Sequence, residues 1–351
     1  MKEATKNSEK KSHHLVFGAG LIGCYLGGVL SHVGLSAFLV CRPLIQKKLS
    51  EGITLTDYLG HKSPAISLKF IGQNAKNALT EIDFLWLTVK CTGIEQAVKD
   101  IAPYVSEQTV IFCCQNGLGS EAMVKQAFPN NTVLRVMVPF NVVELNAGHY
   151  HRGSQGTLTI ESIPATERVV QGLMSNMQCD FLQVTNSHDM SALLWAKLQL
   201  NLGNSINALA DIPVKAMLEQ RAYRLVIAKL MRELLAVTDA MSIVLPKVTS
   251  LPAHWLPAVL SLPDFLFKRV ANTMLAIDPK VRTSMWWDVS QNKSTEIDYL
   301  NGAIVEQARR LNIDTPANQK IIALIKGIKI QGENKDRQPP IDGIRLLKML
   351  D

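Results

Sequence analysis

Two textures of apolar and polar positions divide the chain. In the first half, short apolar runs at 15–17, 37–40, 84–89, 109–113, 132–138 and 156–160 predict β-strands. The runs at 84–89 and 109–113 show no polar alternation, as in strands covered on both faces of a parallel sheet. Helices are predicted among them at 23–33, 93–102 and 119–127. After about Asp189 the β-branched runs thin out. Helical spacing then governs 191–210, 221–241, 297–311 and 316–330. Prolines at 246, 252, 257 and 263 make 245–263 a loop or a set of short helices. A charged stretch over 332–340 reads as a surface loop before a last helix at 344–350.

Strand–helix alternation followed by helices predicts an α/β Rossmann doubly wound sheet and then an all-α C-terminal domain. The expected divisions are a disordered tail at 1–13, a dinucleotide domain at 14–188 and a helical substrate domain at 189–351.

The first strand runs into Gly18-Ala19-Gly20-Leu21-Ile22-Gly23. In such a motif the first glycine makes the turn, and the second admits a pyrophosphate close to the backbone. The third packs the helix on the strand. The phosphates then meet free N–H groups at the positive end of the helix. A glycine-rich turn without a ligand would look the same in isolation, but the flanking strands fit one strand–helix–strand unit. The next strand ends at Cys41-Arg42-Pro43, with Lys47 and Lys48 following and no acid from Ser31 to Ser50. An NAD site places a carboxylate at this strand end for the ribose 2′-hydroxyl. A guanidinium can grip a 2′-phosphate instead, so Arg42 points to NADPH/NADP+ over NAD(H). The alternative is a plain loop arginine.

Composition narrows the function classes. The 351 residues allow two ordinary domains, and 47% hydrophobic with 19% charged residues is typical of globular proteins. No run reaches the roughly 18 apolar residues of a membrane span, and the first 14 residues hold no apolar signal core. The net charge of +7 is spread along the chain, which disfavours nucleic acid and suits an anionic cofactor and substrate. The six cysteines form no CxxC pair, as expected of reduced thiols in the cytoplasm. Two adjacent histidines, His13 and His14, are too few for a metal site.

Polar residues at strand ends and along one helix face are the candidate chemistry. Lys90 follows the strand at 84–89, where it would contact the cofactor; otherwise it is a solvated lysine. Gln115-Asn116-Gly117 follows the next strand, so Asn116 would reach the nicotinamide unless it only forms an Asn-Gly turn. Lys197, Asn201 and Asn204 share one helix face in an otherwise apolar segment. A lysine there could protonate an alkoxide as hydride arrives, although a solvent-facing stripe has the same spacing. Arg282-Thr283-Ser284 and Thr295-Glu296-Ile297-Asp298 form a last cluster. Thr295 and Asp298 fit a capping box, which would put Glu296 in the first turn of a helix.

In order and type, Gly18 to Gly23, Arg42, Lys90, Gln115-Asn116-Gly117, Lys197 with Asn201, and Ser284 with Thr295 to Asp298 resemble the ketopantoate reductases (2-dehydropantoate 2-reductases). The resemblance spans about residues 14–330. It implies NADPH-dependent reduction of 2-dehydropantoate to pantoate, on the way to pantothenate and coenzyme A. It further implies Lys197 as general acid and Glu296 as its acidic partner near the cofactor ribose. Asn201, Ser205, Ser284 and Lys197 become substrate ligands. Lys90 and Asn116 lie on the cofactor side, with Asn116 also reaching substrate. Arg42 becomes the 2′-phosphate clamp. Two places depart from the pattern. Ser205-Ile206 stands where many members have Asn-Pro, and Val138-Pro139-Phe140-Asn141 is bulkier than usual. Both bear on the substrate, which leaves another 2-oxo acid as an alternative. Further alternatives are a dehydrogenase of a 3-hydroxy acid or an amino-acid adduct, and a non-catalytic NADP(H) sensor. A homodimer is compatible with the sequence, which does not decide the assembly.

Overall fold

The computed structural model describes residues 12–72, 81–271, 275, 278–328 and 339–350. The chain forms two compact units. One comprises Met1–Gln115 with Ser120–Met190; the other comprises Asn116–Gly119 with Ser191–Asp351. The four residues Asn116–Gly119 therefore leave the first unit and return to it, a division that the expected boundary at 188 did not contain.

The first unit carries β1 (His13–Phe17), β2 (Ser36–Cys41), β3 (Thr54–Asp57), β4 (Lys69–Gly72), β5 (Phe84–Leu87), β6 (Val110–Cys113), β7 (Val133–Met137), β8 (Val142–Asn146), β9 (His149–Arg152), β10 (Leu158–Glu161) and β11 (Val184–Ser187). Its main sheet runs β11-β10-β7-β6-β5-β1-β2-β4. From β4 to β7 every neighbouring pair is parallel, and β10 turns antiparallel to β7. β1 lies between β2 and β5, so the strand order reverses at its carboxyl end, where ligands bind in doubly wound sheets. Phe17 pairs with Val40 and Leu87, and Leu87 with Cys113. The exits of β1, β2, β5 and β6 therefore share one edge.

Unalternated apolar strands are explained by burial on both sides. Val16, Trp86, Phe112 and Leu134 enter one core with α1 (Leu21–His32) and α5 (Glu167–Met177). Leu15, Phe17, Leu85, Leu87 and Ile111 enter the other with α3 (Ile94–Ile101). Two shorter helices complete this unit, α2 (Pro43–Lys48) and α4 (Ser120–Ala127). A second sheet, β3-β9-β8, adds Leu55 and Tyr150 to the α1 side. β1 begins at His13, inside the segment expected as a tail; residues 1–11 lie outside the described residues.

His14 has a consequence for stability. It is 0% exposed, and its Nδ1 accepts from Trp86 Nε1 at 3.1 Å. Burial, opposed by Asp83 and aided by His13, lowers its pKa to about 4. Below pH 6.5 the unfolded chain takes up a proton that the folded chain refuses, so stability falls as pH drops from about 6.5 towards 4. The loss expected is at most about 3 kcal/mol. In His14→Asn, Oδ1 can accept the indole N–H without titrating. That variant should show a flatter fall of Tm across this pH range.

The second unit is helical among its described residues. The predicted helix at 191–210 is two, α6 (Met190–Asn201) and α7 (Gly203–Ala210), broken at Leu202. α8 (Val214–Leu218) leads into α9 (Arg221–Ala240), which buries Val226, Ile227, Leu230 and Leu234 in a core shared with Leu198, Leu202 and Ile206. The proline-rich stretch holds short helices, among them Leu256–Ser261. Residues 332–338 of the expected surface loop lie outside the described residues.

Candidate functional site

In the first unit the site is built at the exits of β1, β2 and β5. Gly18 has φ +114°, a conformation that side chains disfavour. A Cβ there would also meet Val89 N at 2.8 Å. A Cβ on Gly23 would fall 1.9 Å from the Gly18 carbonyl oxygen. These two glycines are demanded by close packing. Gly20 differs: nothing lies within 4 Å of where its Cβ would stand. It is the N-cap of α1, with no side-chain cap and no acid in the first turn. The open space and the uncapped helix start fit a pyrophosphate held by backbone N–H groups. Leu21 is exposed and Ile22 half-buried beside the core.

Arg42 is exposed and directly follows β2. Pro43 behind it favours extended backbone, observed as φ −69°, ψ 151°. Its carbonyl accepts from Ile45 N and Gln46 N, which fixes the main chain while the side chain reaches solvent. Lys48 is engaged by Glu144 at 2.5 Å. Lys90 is exposed at the N-cap of the short helix Cys91–Gly93, three residues after β5 ends.

Gln115 ties these exits together. Its Nε2 donates to the carbonyls of Leu87 at 2.7 Å and Val89 at 3.2 Å. Thr88 also had no expected role. Its hydroxyl donates to Gly18 O at 2.7 Å and to Phe17 O at 3.1 Å. Neither residue stands out in sequence, because their bonds go to backbone atoms 26 to 71 residues away.

In the second unit the loop Asn116–Gly119 joins two chemistry-bearing segments. Asn201 Nδ2, on α6, donates to Asn116 Oδ1 at 2.9 Å. Leu118 N donates to Tyr299 O at 3.0 Å. Gly117, at φ +97°, passes so close that a Cβ would meet Tyr299 O at 2.4 Å. Lys197 lies one turn before Asn201 on α6 and is half-buried between Ala196 and Leu198, both in the core. Glu296 is 8% exposed, three residues before Tyr299.

Glu296 does not lie in the first turn of a helix, as the capping box implied. The helix here is Asn301–Arg310, and Glu296 opens the turns before it, with its carbonyl accepting from Tyr299 N and Leu300 N. Asp298 instead pairs with Lys326 at 2.6 Å. Ser284 is exposed as the first residue of helix Ser284–Ser290. The buried Asn207 sets that start: its Oδ1 accepts from Thr283 N at 3.1 Å and Thr283 Oγ1 at 3.2 Å.

Ser205, expected as a substrate ligand, is 0% exposed, and its Oγ donates to Leu202 O at 3.1 Å across the α6–α7 break. The bulk of Val138–Asn141 is likewise taken inward in the first unit. Phe140 is buried, with the Arg152 guanidinium 4.6 Å from its ring centroid, and only Asn141 is exposed. Among the described residues no group of three or more His, Cys, Asp or Glu could hold a metal.

Comparison with known proteins gives this arrangement a family. Residues 14–165 match the family model for ketopantoate reductase PanE/ApbA, and residues 189–329 match the model for its C-terminal part. A 2-dehydropantoate 2-reductase of Streptococcus pyogenes serotype M1 is 22% identical over 320 residues, covering 88% of this chain and 95% of its own. The crystal structure of a PanE/ApbA family ketopantoate reductase from Ralstonia eutropha JMP134 shares the fold. Its TM-score is 0.73 at 24% identity, over 90% of this chain and 97% of that one. A ternary structure of D-mandelate dehydrogenase with NADH and anilino(oxo)acetate shares it too, with TM-score 0.72 and 18% identity over 90% and 97% of the two chains. With both family models matched across its two units, the chain belongs to the ketopantoate reductase family, whose members are oxidoreductases acting on CH–OH groups with a nicotinamide cofactor.

Proposed function

We propose that this chain reduces 2-dehydropantoate to pantoate with NADPH, a cytoplasmic step towards pantothenate and coenzyme A. The observation that carries the reading is the Asn116–Gly119 loop. It is bonded both to Asn201, one turn from Lys197, and to Tyr299, three residues from Glu296. Three polar segments distant in sequence thereby meet in one unit.

A nicotinamide dinucleotide, when bound, would supply the hydride. Arg42 would hold its 2′-phosphate, the first-turn amides of α1 would hold the pyrophosphate, and Lys90 would add positive charge at the same edge. Asn116 and Asn201 hold the reacting end of the oxo acid, and Ser284 takes its carboxylate or hydroxyl. The Lys197 ammonium polarises the ketone and stabilises the oxyanion as it forms. The proton then passes from Nζ to that oxygen, the product is a 2-hydroxy acid, and the amine recovers its proton from water. Glu296 serves as the acidic partner of that ammonium.

A second reading keeps this machinery with a different 2-oxo acid. Ser205 favours it, because a buried serine stands where many members present an asparagine. Oxidation of NADPH by the purified chain tests both. Turnover of ketopantoate at kcat/KM of about 10⁴ M⁻¹s⁻¹ or more is expected. Turnover of a different 2-oxo acid alone would select the second reading. Tight NADPH binding with no turnover of any oxo acid would leave a sensor. A homodimer is the assembly to test alongside, by light scattering.

A further inference from the structure

We propose that Thr88 is a positioning residue for the cofactor: its hydroxyl sets which way the Gly18–Ala19 peptide faces. The proposal rests on the dinucleotide reading above and deepens it. Thr88 directly follows β5, beside the first glycine of the loop. Its backbone N–H donates to Phe17 O at 2.9 Å, which continues the β1–β5 pairing. The side chain then adds a bond that the ladder does not need, from Oγ1 to Gly18 O at 2.7 Å.

That bond matters because of peptide geometry. There is no cis peptide among the described residues, and in a planar trans peptide C=O and N–H point in opposite directions. Holding the Gly18 carbonyl towards Thr88 therefore turns the Ala19 N–H away from it. Turning this peptide over rotates ψ of Gly18 and φ of Ala19, and Gly18, which has no Cβ, leaves its own side of the peptide unrestrained. A flipped peptide would present a carbonyl oxygen where the loop should offer a donor, and an anion would be repelled. The neighbouring packing points to the same fixed arrangement. A Cβ on Gly23 would stand 2.5 Å from Thr88 Oγ1, so the hydroxyl, the first glycine and the third glycine close on one another. Of the three glycines in the motif, only Gly20 is left open. Gln115 braces the strand exit from the other side through Leu87 O and Val89 O.

The test is direct binding of NADPH, followed by its fluorescence, to wild type, Thr88→Val, Thr88→Ala and Thr88→Ser. Thr88→Val keeps the shape and removes the donor. Kd for NADPH should rise about tenfold in Thr88→Val and Thr88→Ala, which is about 1.4 kcal/mol. Thr88→Ser should stay within about twofold of wild type on the same scale. In turnover, KM for NADPH should rise with Kd, while kcat at saturation holds. Adenosine 2′-monophosphate, which has no 5′-phosphates, should bind all four proteins alike. Equal NADPH affinity in Thr88→Val and wild type would overturn the proposal. So would a parallel loss of adenosine 2′-monophosphate binding, which would mark a general collapse of the site. Should Thr88→Val not fold, the contrast between alanine and serine decides. A wild-type protein that binds no dinucleotide would instead remove the underlying reading.

Discussion

Lys197→Ala should lower kcat by about 10²- to 10⁴-fold, the range for losing a positioned general acid. The residue lies on α6 between buried Ala196 and Leu198, so the helix that carries it is held by the core. Asn201, one turn on, is fixed by its bond to Asn116. Truncating the lysine should therefore leave the helix in place and remove only the ammonium. NADPH affinity, read by fluorescence, should change less than about twofold, because the dinucleotide residues proposed for the first unit are untouched. Lys197→Arg separates two contributions. A guanidinium keeps the positive charge but does not give up a proton in proteins. Activity near zero in both variants would assign the loss to proton transfer. Recovery in the arginine variant would assign it to charge, and a near wild-type kcat in Lys197→Ala would remove the role.

Arg42→Ala should raise KM for NADPH by roughly ten- to a hundredfold and leave KM for NADH unchanged. The magnitude follows from about 1.5–3 kcal/mol for a hydrogen bond to a charged group. Arg42 is exposed, which argues for the lower part of that range. Neighbouring cations should not replace it: Lys48 is occupied by Glu144, and Lys47 lies a helical turn further along α2. The readout is the ratio of kcat/KM for the two cofactors in wild type and variant. A wild-type preference for NADH, or a ratio unmoved by the substitution, would show that this strand end does not read the 2′-phosphate.

Much of the first unit was legible because its signals are local or periodic. An apolar strand without alternation, such as Phe84–Leu87, needs two covered faces, and the structure supplies two cores. The glycine turn was equally legible, since three glycines at fixed spacing state a backbone demand within six residues. The second sheet was not. β3 and β9 are four residues each, and β9 reads His-Tyr-His-Arg, in which Tyr150 and Arg152 are buried and the histidines half-buried. Arginine inside and histidine outside is not a pattern that hydropathy reveals. Arg152 is buried because it donates to the carbonyls of Phe181 and Gly156, partners that only the fold provides.

By itself, the sequence determined a parallel α/β half, a helical half, a glycine loop with an arginine after the next strand, and a lysine–asparagine helix face. Each follows from spacing within a turn, a strand or a helix. Only the tertiary structure decided that Asn116–Gly119 belongs with the second unit, that Ser205 is sealed, that Glu296 precedes its helix, and that Thr88 grips Gly18. The physical reason is common to all four. They depend on hydrogen bonds and close packing between residues brought together by folding, and the energy of such contacts leaves no periodic trace along the chain.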